Sequence, residues 1–279
     1  SEATARELAA IDAAVSDTAA GRGRVVAFIG EPGIGKSLLL DEVAARASAA
    51  GLFVARGRAV PSGGSYRALA AALHAALRGS GPDQRDLGPY RSALAGLLPE
   101  LGPASGPEST VDPAILVGEG VLRLLGANRR GVALLLDDLH WADPDTLAVV
   151  DYLSDTIDDA PILLCLAARD EPRIVDRLAT LRRNTSRHDL RRLDQAAVHA
   201  LAIHRAGREL PSAAVEMVAT QSAGLPLLVA DFAAGLGEST VALEVPASFR
   251  ALVGDAGPRL GALARVLGTG EGRGAAGAL

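Results

Sequence analysis

Lys36 is the only lysine among 279 residues, while arginine supplies the other 27 of the 28 basic side chains. It stands in Gly30-Glu31-Pro32-Gly33-Ile34-Gly35-Lys36-Ser37, which has the spacing G-x-x-x-x-G-K-[ST] of a phosphate-binding loop. Each residue type has a reason. Glycines let successive backbone N–H groups turn inward around phosphate oxygens, and the helix that follows adds the positive end of its dipole. A lysine ammonium reaches the β/γ oxygens as a compact charge that a planar guanidinium does not imitate. Ser37 would place its hydroxyl on Mg²⁺. The expected binding set is Gly30, Glu31, Pro32, Gly33, Ile34, Gly35, Lys36 and Ser37, with Leu38 as the first residue beyond the loop.

A second constellation is Leu134-Leu135-Leu136-Asp137-Asp138, an apolar run that delivers two carboxylates. Downstream of a phosphate-binding loop it reads as a Walker B segment. One acid binds Mg²⁺ through its water shell, and its neighbour orients or deprotonates an attacking water. Either aspartate fits either role on sequence alone; we assign Asp137 to the metal and Asp138 to the water.

The elements that must hold these groups alternate between strand and helix. Residues 25–29 form an apolar run before the loop, and 38–47 read as a helix after it. Residues 52–56, 132–136 and 162–168 read as further strands, and 190–193 as a short fifth one. Leu8, Ile11 and Val15 mark an opening helix, while 66–78, 87–98 and 115–125 carry helical periodicity. Asp143-Pro144 predicts an N-cap and first helical residue, with Leu147, Val150 and Leu153 as the buried stripe. Residues 99–113, with four prolines, predict a mobile loop. Alternation of this kind implies a doubly wound sheet whose ligand sits at the carboxyl ends of the strands, where Gly30, Asp137 and Arg169 fall.

Past Asp194 the pattern becomes helical only, which predicts a P-loop domain over 1–193 and a helical lid over 194–244. Residues 245–267 read as the start of another helical unit, and the Gly/Ala-rich 268–279 as a disordered tail. Composition narrows the partners. A net charge of −5 argues against nucleic acid as the main ligand. The one basic cluster, 182–192, is interrupted by Asp189 and reads as a solvated face. A single cysteine, Cys165, sits in an apolar run and reads as a core thiol, which with the acidic amino end and apolar runs far below ~20 residues predicts a cytoplasmic chain with no membrane span. The five histidines show no metal-ligand spacing. Trp141 is expected to supply packing area, and His140 to hydrogen-bond within its loop.

These residues resemble the signal-transduction ATPases with numerous domains, especially the ATPase module of large LuxR-type ATP-binding transcriptional regulators. The resemblance rests on the phosphate-binding loop, on Asp137-Asp138-Leu139-His140-Trp141-Ala142-Asp143-Pro144 and on Ser222-Ala223-Gly224-Leu225-Pro226, in that order, and covers roughly residues 8–267. It implies a five-stranded parallel sheet of order 5-1-4-3-2 followed by a helical lid. It further implies ATP and Mg²⁺ as cofactors, Arg169 as a sensor near the γ-phosphate, with Lys36 and Asp138 the other catalytic groups, and Pro226 near the base or sugar. Ala3 and Thr4 stand where members of that group carry the Gly and Arg of a base-lining Gly-Arg-Glu segment. The chain is expected to be a fragment or degenerate member, without sensor repeats or a helix-turn-helix. The function so implied is an ATP-binding switch with slow Mg²⁺-dependent hydrolysis. Homo-oligomerisation in the ATP state or release of an attached effector is its output, and this chain alone does not bind DNA specifically. A P-loop phosphotransferase and a non-catalytic nucleotide-binding module are the alternatives.

Overall fold

The structure, a computed structural model, is described for residues 2–78, 84–103, 110–128, 130–179 and 185–238. Residues 104–109 of the loop expected over 99–113, and all of 239–279 with the readings made for them, lie outside these segments. The chain runs through α1 (Glu2–Ala19), β1 (Arg24–Ile29), α2 (Lys36–Ala49), β2 (Phe53–Arg58), α3 (Arg67–Arg78), α4 (Arg91–Ala95) and α5 (Pro113–Gly126). It continues through β3 (Val132–Asp137), α6 (Pro144–Thr156), β4 (Ile162–Ala168), α7 (Pro172–Ala179) and β5 (Thr185–Asp189). Three helices follow, α8 (Gln195–Ala206), α9 (Ser212–Ser222) and α10 (Pro226–Glu238). Two compact units result, one of residues 2–31 and 35–191, the other of residues 32–34 and 192 onward.

All five strands pair in parallel in the order β2-β3-β4-β1-β5, which from the other edge is 5-1-4-3-2. β3 and β4 are apolar throughout their buried length because helices cover both faces. Alternate residues feed two cores. Val25, Ala27 and Ile29 join the layer holding Leu69, Leu73, Val121 and Val150, whereas Val26 and Phe28 join Ile11, Val43 and Leu135 on the opposite face. Cys165 is fully buried in that second core, and the apolar surroundings push its thiol pKa up, so it is an inert packing group. Among the described residues no helix is long and apolar enough to cross a membrane.

The fifth strand lies earlier than the apolar pattern predicts. Thr185–Asp189 pairs with β1 from Val25↔Thr185 to Ile29↔Asp189, and Leu190 only extends the ladder by donating its N–H to the Ile29 carbonyl at 2.7 Å. As an edge strand it is half-exposed along its length, so polar residues serve where a buried strand needs an apolar run. Within it Arg187 pairs with Asp189, as expected of a solvated face. A second correction concerns 87–98. Gly88 takes φ 49°, ψ −131° and is followed by Pro89, so a 3₁₀ turn, Gln84–Tyr90, replaces the helix start and only the short α4 remains. The helix α7 carries no reading in the sequence analysis.

β2 reaches its place because of Gly57. A Cβ there would stand 1.8 Å from the Ala68 carbonyl oxygen, so the strand meets α3 backbone to side. Gly57→Ala should therefore lower stability by about 1–3 kcal/mol, read as a shifted denaturation midpoint; an unchanged midpoint would mean that α3 moves aside at no cost.

Candidate functional site

The phosphate-binding loop turns on glycines that accept left-handed backbone: φ is 79° at Gly33 and 103° at Gly35. Gly35 caps the start of α2, and among the described residues nothing lies within 4 Å of where a Cβ would stand on it. Lys36 opens α2 and is only 7% exposed. Its Nζ donates to the carbonyls of Gly30 at 2.8 Å and Glu31 at 2.9 Å, which holds the ammonium over the loop's own backbone. Burial pushes its pKa below the ordinary lysine value; the carboxylates of Asp138 and Asp137 oppose that shift, and the Arg169 guanidinium adds to it.

Parallel pairing brings the second constellation to the same end of the sheet. The Ser37 hydroxyl donates to Asp137 Oδ2 at 2.8 Å, across 100 positions of sequence. Asp137 is the last residue of β3; its other oxygen, Oδ1, accepts the Asp138 N–H at 2.7 Å. Asp138 turns the chain with φ 53°, ψ 37°, a left-handed conformation that aspartate tolerates better than most residues. The two acids thereby take different directions. Asp137 meets the loop, whereas Asp138 Oδ2 is gripped by Arg58, with Nε at 2.7 Å and a second nitrogen at 2.6 Å.

Arg58 escaped the sequence analysis. Its signal was register: as the last residue of β2 it stands opposite Asp137 once β2 and β3 are paired. The Asp138 carboxylate, by accepting its hydrogen bond, holds the Arg58 pKa above the ordinary value. Because the Arg58 side chain is 70% exposed, such a pair is worth about 0–1 kcal/mol. It is a latch that can open.

After the acids, His140 is buried with Nδ1 3.9 Å from Asp138 Oδ1, an ion-pair spacing too long for a hydrogen bond. Trp141 is 39% exposed, and the Arg169 guanidinium lies over its ring at 5.6 Å, so it supplies a cation–π face as well as packing. Arg169 follows β4 directly, at the same sheet end as Lys36 and the acids. Pro226 belongs to the helical unit. It opens α10, and the next residue, Leu227, donates its N–H to the Gly33 carbonyl at 3.2 Å. Among the described residues no group of three or more His, Cys, Asp or Glu could hold a metal by itself. Ser37 with Asp137 is instead a pair of hard oxygen donors, which suits Mg²⁺ completed by water and phosphate oxygens.

Beside Ser37 and Asp137 a cavity of about 440 Å³ opens past β2, with Arg56, Arg58 and Arg67 on its wall.

A family model described as AAA ATPase domain matches residues 5–166, more than half of the chain. The chain belongs to that family. As an AAA ATPase domain it is a nucleotide-binding P-loop module. Searches of solved structures return the Thermotoga maritima RuvB Holliday junction branch migration motor at 16% identity and a TM-score of 0.44, covering 81% of this chain and 58% of that one. AMPPCP-bound DnaA from Aquifex aeolicus follows at 13% identity and a TM-score of 0.48, covering 82% and 60%. The chain thus spans less than two thirds of either structure. A comparison with curated proteins found no match.

In this AAA ATPase domain Asp143 joins the start of α6 to the segment before α3. Oδ1 accepts the Thr146 N–H at 2.9 Å as the N-cap of α6, while Oδ2 accepts the Thr146 hydroxyl at 2.6 Å and the Tyr66 N–H at 3.1 Å. Asp143→Ala strands all three donors and should cost about 1–3 kcal/mol. Asp143→Asn, which keeps one acceptor oxygen, should lose less; equal losses in chemical denaturation would show that the cap is not what matters.

Proposed function

We propose that the chain is an ATP-binding signal-transduction switch with slow Mg²⁺-dependent hydrolysis, the engine of a transcriptional regulator of the LuxR type. The observation that carries the reading is the contact of the Ser37 hydroxyl with the Asp137 carboxylate beside a buried Lys36. A phosphate-binding loop and a strand-end acid pair meet there with the donor chemistry that ATP and Mg²⁺ require. Bound ATP would supply the transferable γ-phosphoryl group, and Mg²⁺ the charge neutralisation between its phosphates.

The chain's own residues divide the remaining work. The loop from Gly30 through Ser37, with Leu38, would cradle the phosphates through its backbone N–H groups, which all these residues but Pro32 carry, and Lys36 would offer its ammonium to the β/γ oxygens. Ser37 and Asp137 hold the metal. Asp138 orients the attacking water and takes its proton. Arg169 senses the γ-phosphate, and Pro226 packs near the base or sugar. Arg58 is what supports slow turnover: while its guanidinium grips Asp138 Oδ2, that carboxylate is not free to act as a base. A second reading, a P-loop phosphotransferase, is favoured by one observation, the arginine-lined cavity next to Ser37, which could seat an acceptor.

Lys36→Ala should abolish ATP·Mg²⁺ binding in calorimetry, and Lys36→Arg should fail too, because the planar group does not fit the compact site. Asp137→Asn should weaken the Mg²⁺ dependence of binding, whereas Asp138→Asn should spare binding and slow single-turnover release of phosphate. Unchanged affinity in Lys36→Ala, or identical losses in the two aspartate variants, would sink this assignment; label recovered on an added organic acceptor would favour the phosphotransferase. With a net charge of −5, the chain alone should show no sequence-specific binding of duplex DNA by fluorescence anisotropy at physiological salt. Tight binding to one duplex with a steep salt slope would contradict this.

A further inference from the structure

We propose that the cavity past β2 is a second ligand site, for a small organic anion with an apolar body and a phosphate or carboxylate group, and that its occupant draws Arg58 away from Asp138. Its volume of about 440 Å³ falls within the roughly 300–1,000 Å³ of small-molecule sites. Leu40, Val60, Ala71 and Leu135 give it apolar wall, and three arginines, Arg56, Arg58 and Arg67, line it as well. The opposing carboxylates are both engaged. Asp41 pairs with Arg56 at 2.6 Å, and Asp137 accepts from Ser37. Among the described residues Arg67 has no hydrogen-bond or ion-pair partner. An anionic ligand therefore meets one uncommitted cation and two that it can share, in a recess whose apolar lining favours a body over a bare ion.

A simpler reason for arginines here is protection of a sheet edge, since β2 is an outer strand and charged side chains blunt such edges. That accounts for Arg56 and Arg58, which alternate along the strand. It does not account for Arg67, which comes from the first turn of α3, nor for a recess of this size. The geometry also links the site to Asp138. Arg58 lines the cavity while both of its contacting nitrogens reach Asp138 Oδ2 from a largely exposed side chain. An anion in the cavity competes for the same guanidinium, so its binding and the Asp138 latch oppose each other. Only the consequence for hydrolysis rests on the reading of Asp138 as the water-activating acid.

Calorimetry on the full chain with phenyl phosphate and with benzoate distinguishes the two anionic groups, and inorganic phosphate reports what the apolar body adds. One of the aromatic anions should bind, and its binding should survive Lys36→Ala, which removes the cation of the phosphate-binding loop. It should weaken about tenfold or more in Arg67→Ala, an exposed truncation that needs no repacking. Ala71→Trp, which fills the recess and keeps all three arginines, should abolish it. Asp138→Asn should tighten binding by freeing Arg58, and the gain should vanish in an Arg58→Ala background. Absence of binding by both aromatic anions, or binding lost in Lys36→Ala and kept in Arg67→Ala, overturns the site. A gain from Asp138→Asn that persists without Arg58 reflects general charge alone and overturns the link to the latch. Failure of ATP·Mg²⁺ to bind the unaltered chain would strike the nucleotide reading while leaving these titrations unaffected.

Discussion

Parallel pairing is the constraint on which the rest of this structure depends. Each strand must be re-entered from the same end, so every β-to-α connection leaves the sheet at the carboxyl ends of the strands. That places Gly30 after β1, Arg58 at the end of β2, Asp137 at the end of β3 and Arg169 after β4 along a single rim. None of these residues is near another in sequence, yet one side-chain hydrogen bond joins Ser37 to Asp137 across 100 positions. The site is thus a by-product of chain direction. Helices on both faces then bury the strands, and an apolar interior beneath the rim strengthens the charge interactions along it.

Lys36 shows what that environment does. Its ammonium is nearly buried, so desolvation works against its charge, yet two backbone carbonyls and two nearby aspartates keep the charged form in place. A guanidinium would not fit this arrangement, since it is wider and fans its donors outward. Elsewhere the chain meets its need for cations with arginine, in partly exposed ion pairs such as Arg46 with Glu42 and Arg177 with Asp151. Those pairs are worth little individually. The composition therefore separates one compact, buried charge from many dispersed ones.

How much of this could be read beforehand depended on whether a residue's role is local. The phosphate-binding loop, the apolar β3 ending in Asp137-Asp138, and the Asp143-Pro144 start of α6 are local patterns, and each lies where its spacing implied. β5 was misplaced because an edge strand of Thr185, Ser186, Arg187 and His188 carries no apolar run, its pairing being decided by the free edge of β1. The helix expected over 87–98 failed for a local reason, Gly88 and Pro89, which outweighed the periodicity of the leucines. Arg58 was hidden altogether, since nothing around it in sequence announces a partner that arrives only when β2 lies against β3.

Gly57 and its two neighbours show how one strand can serve packing and chemistry together. With no side chain, Gly57 lets α3 approach β2 until a Cβ would collide with the Ala68 carbonyl, and that approach carries Arg67 toward the sheet edge. Arg56 and Arg58, one residue to either side, alternate with it and so cannot point into the same packed layer. They are left at the edge with Asp41 and Asp138 as partners. A larger residue at 57 would push α3 outward and change the spacing of all three arginines at once. Close packing at a glycine and the charge arrangement beside Asp137 are therefore a single geometric fact, and the shape of the cavity is set by a residue that makes no polar side-chain contact of its own.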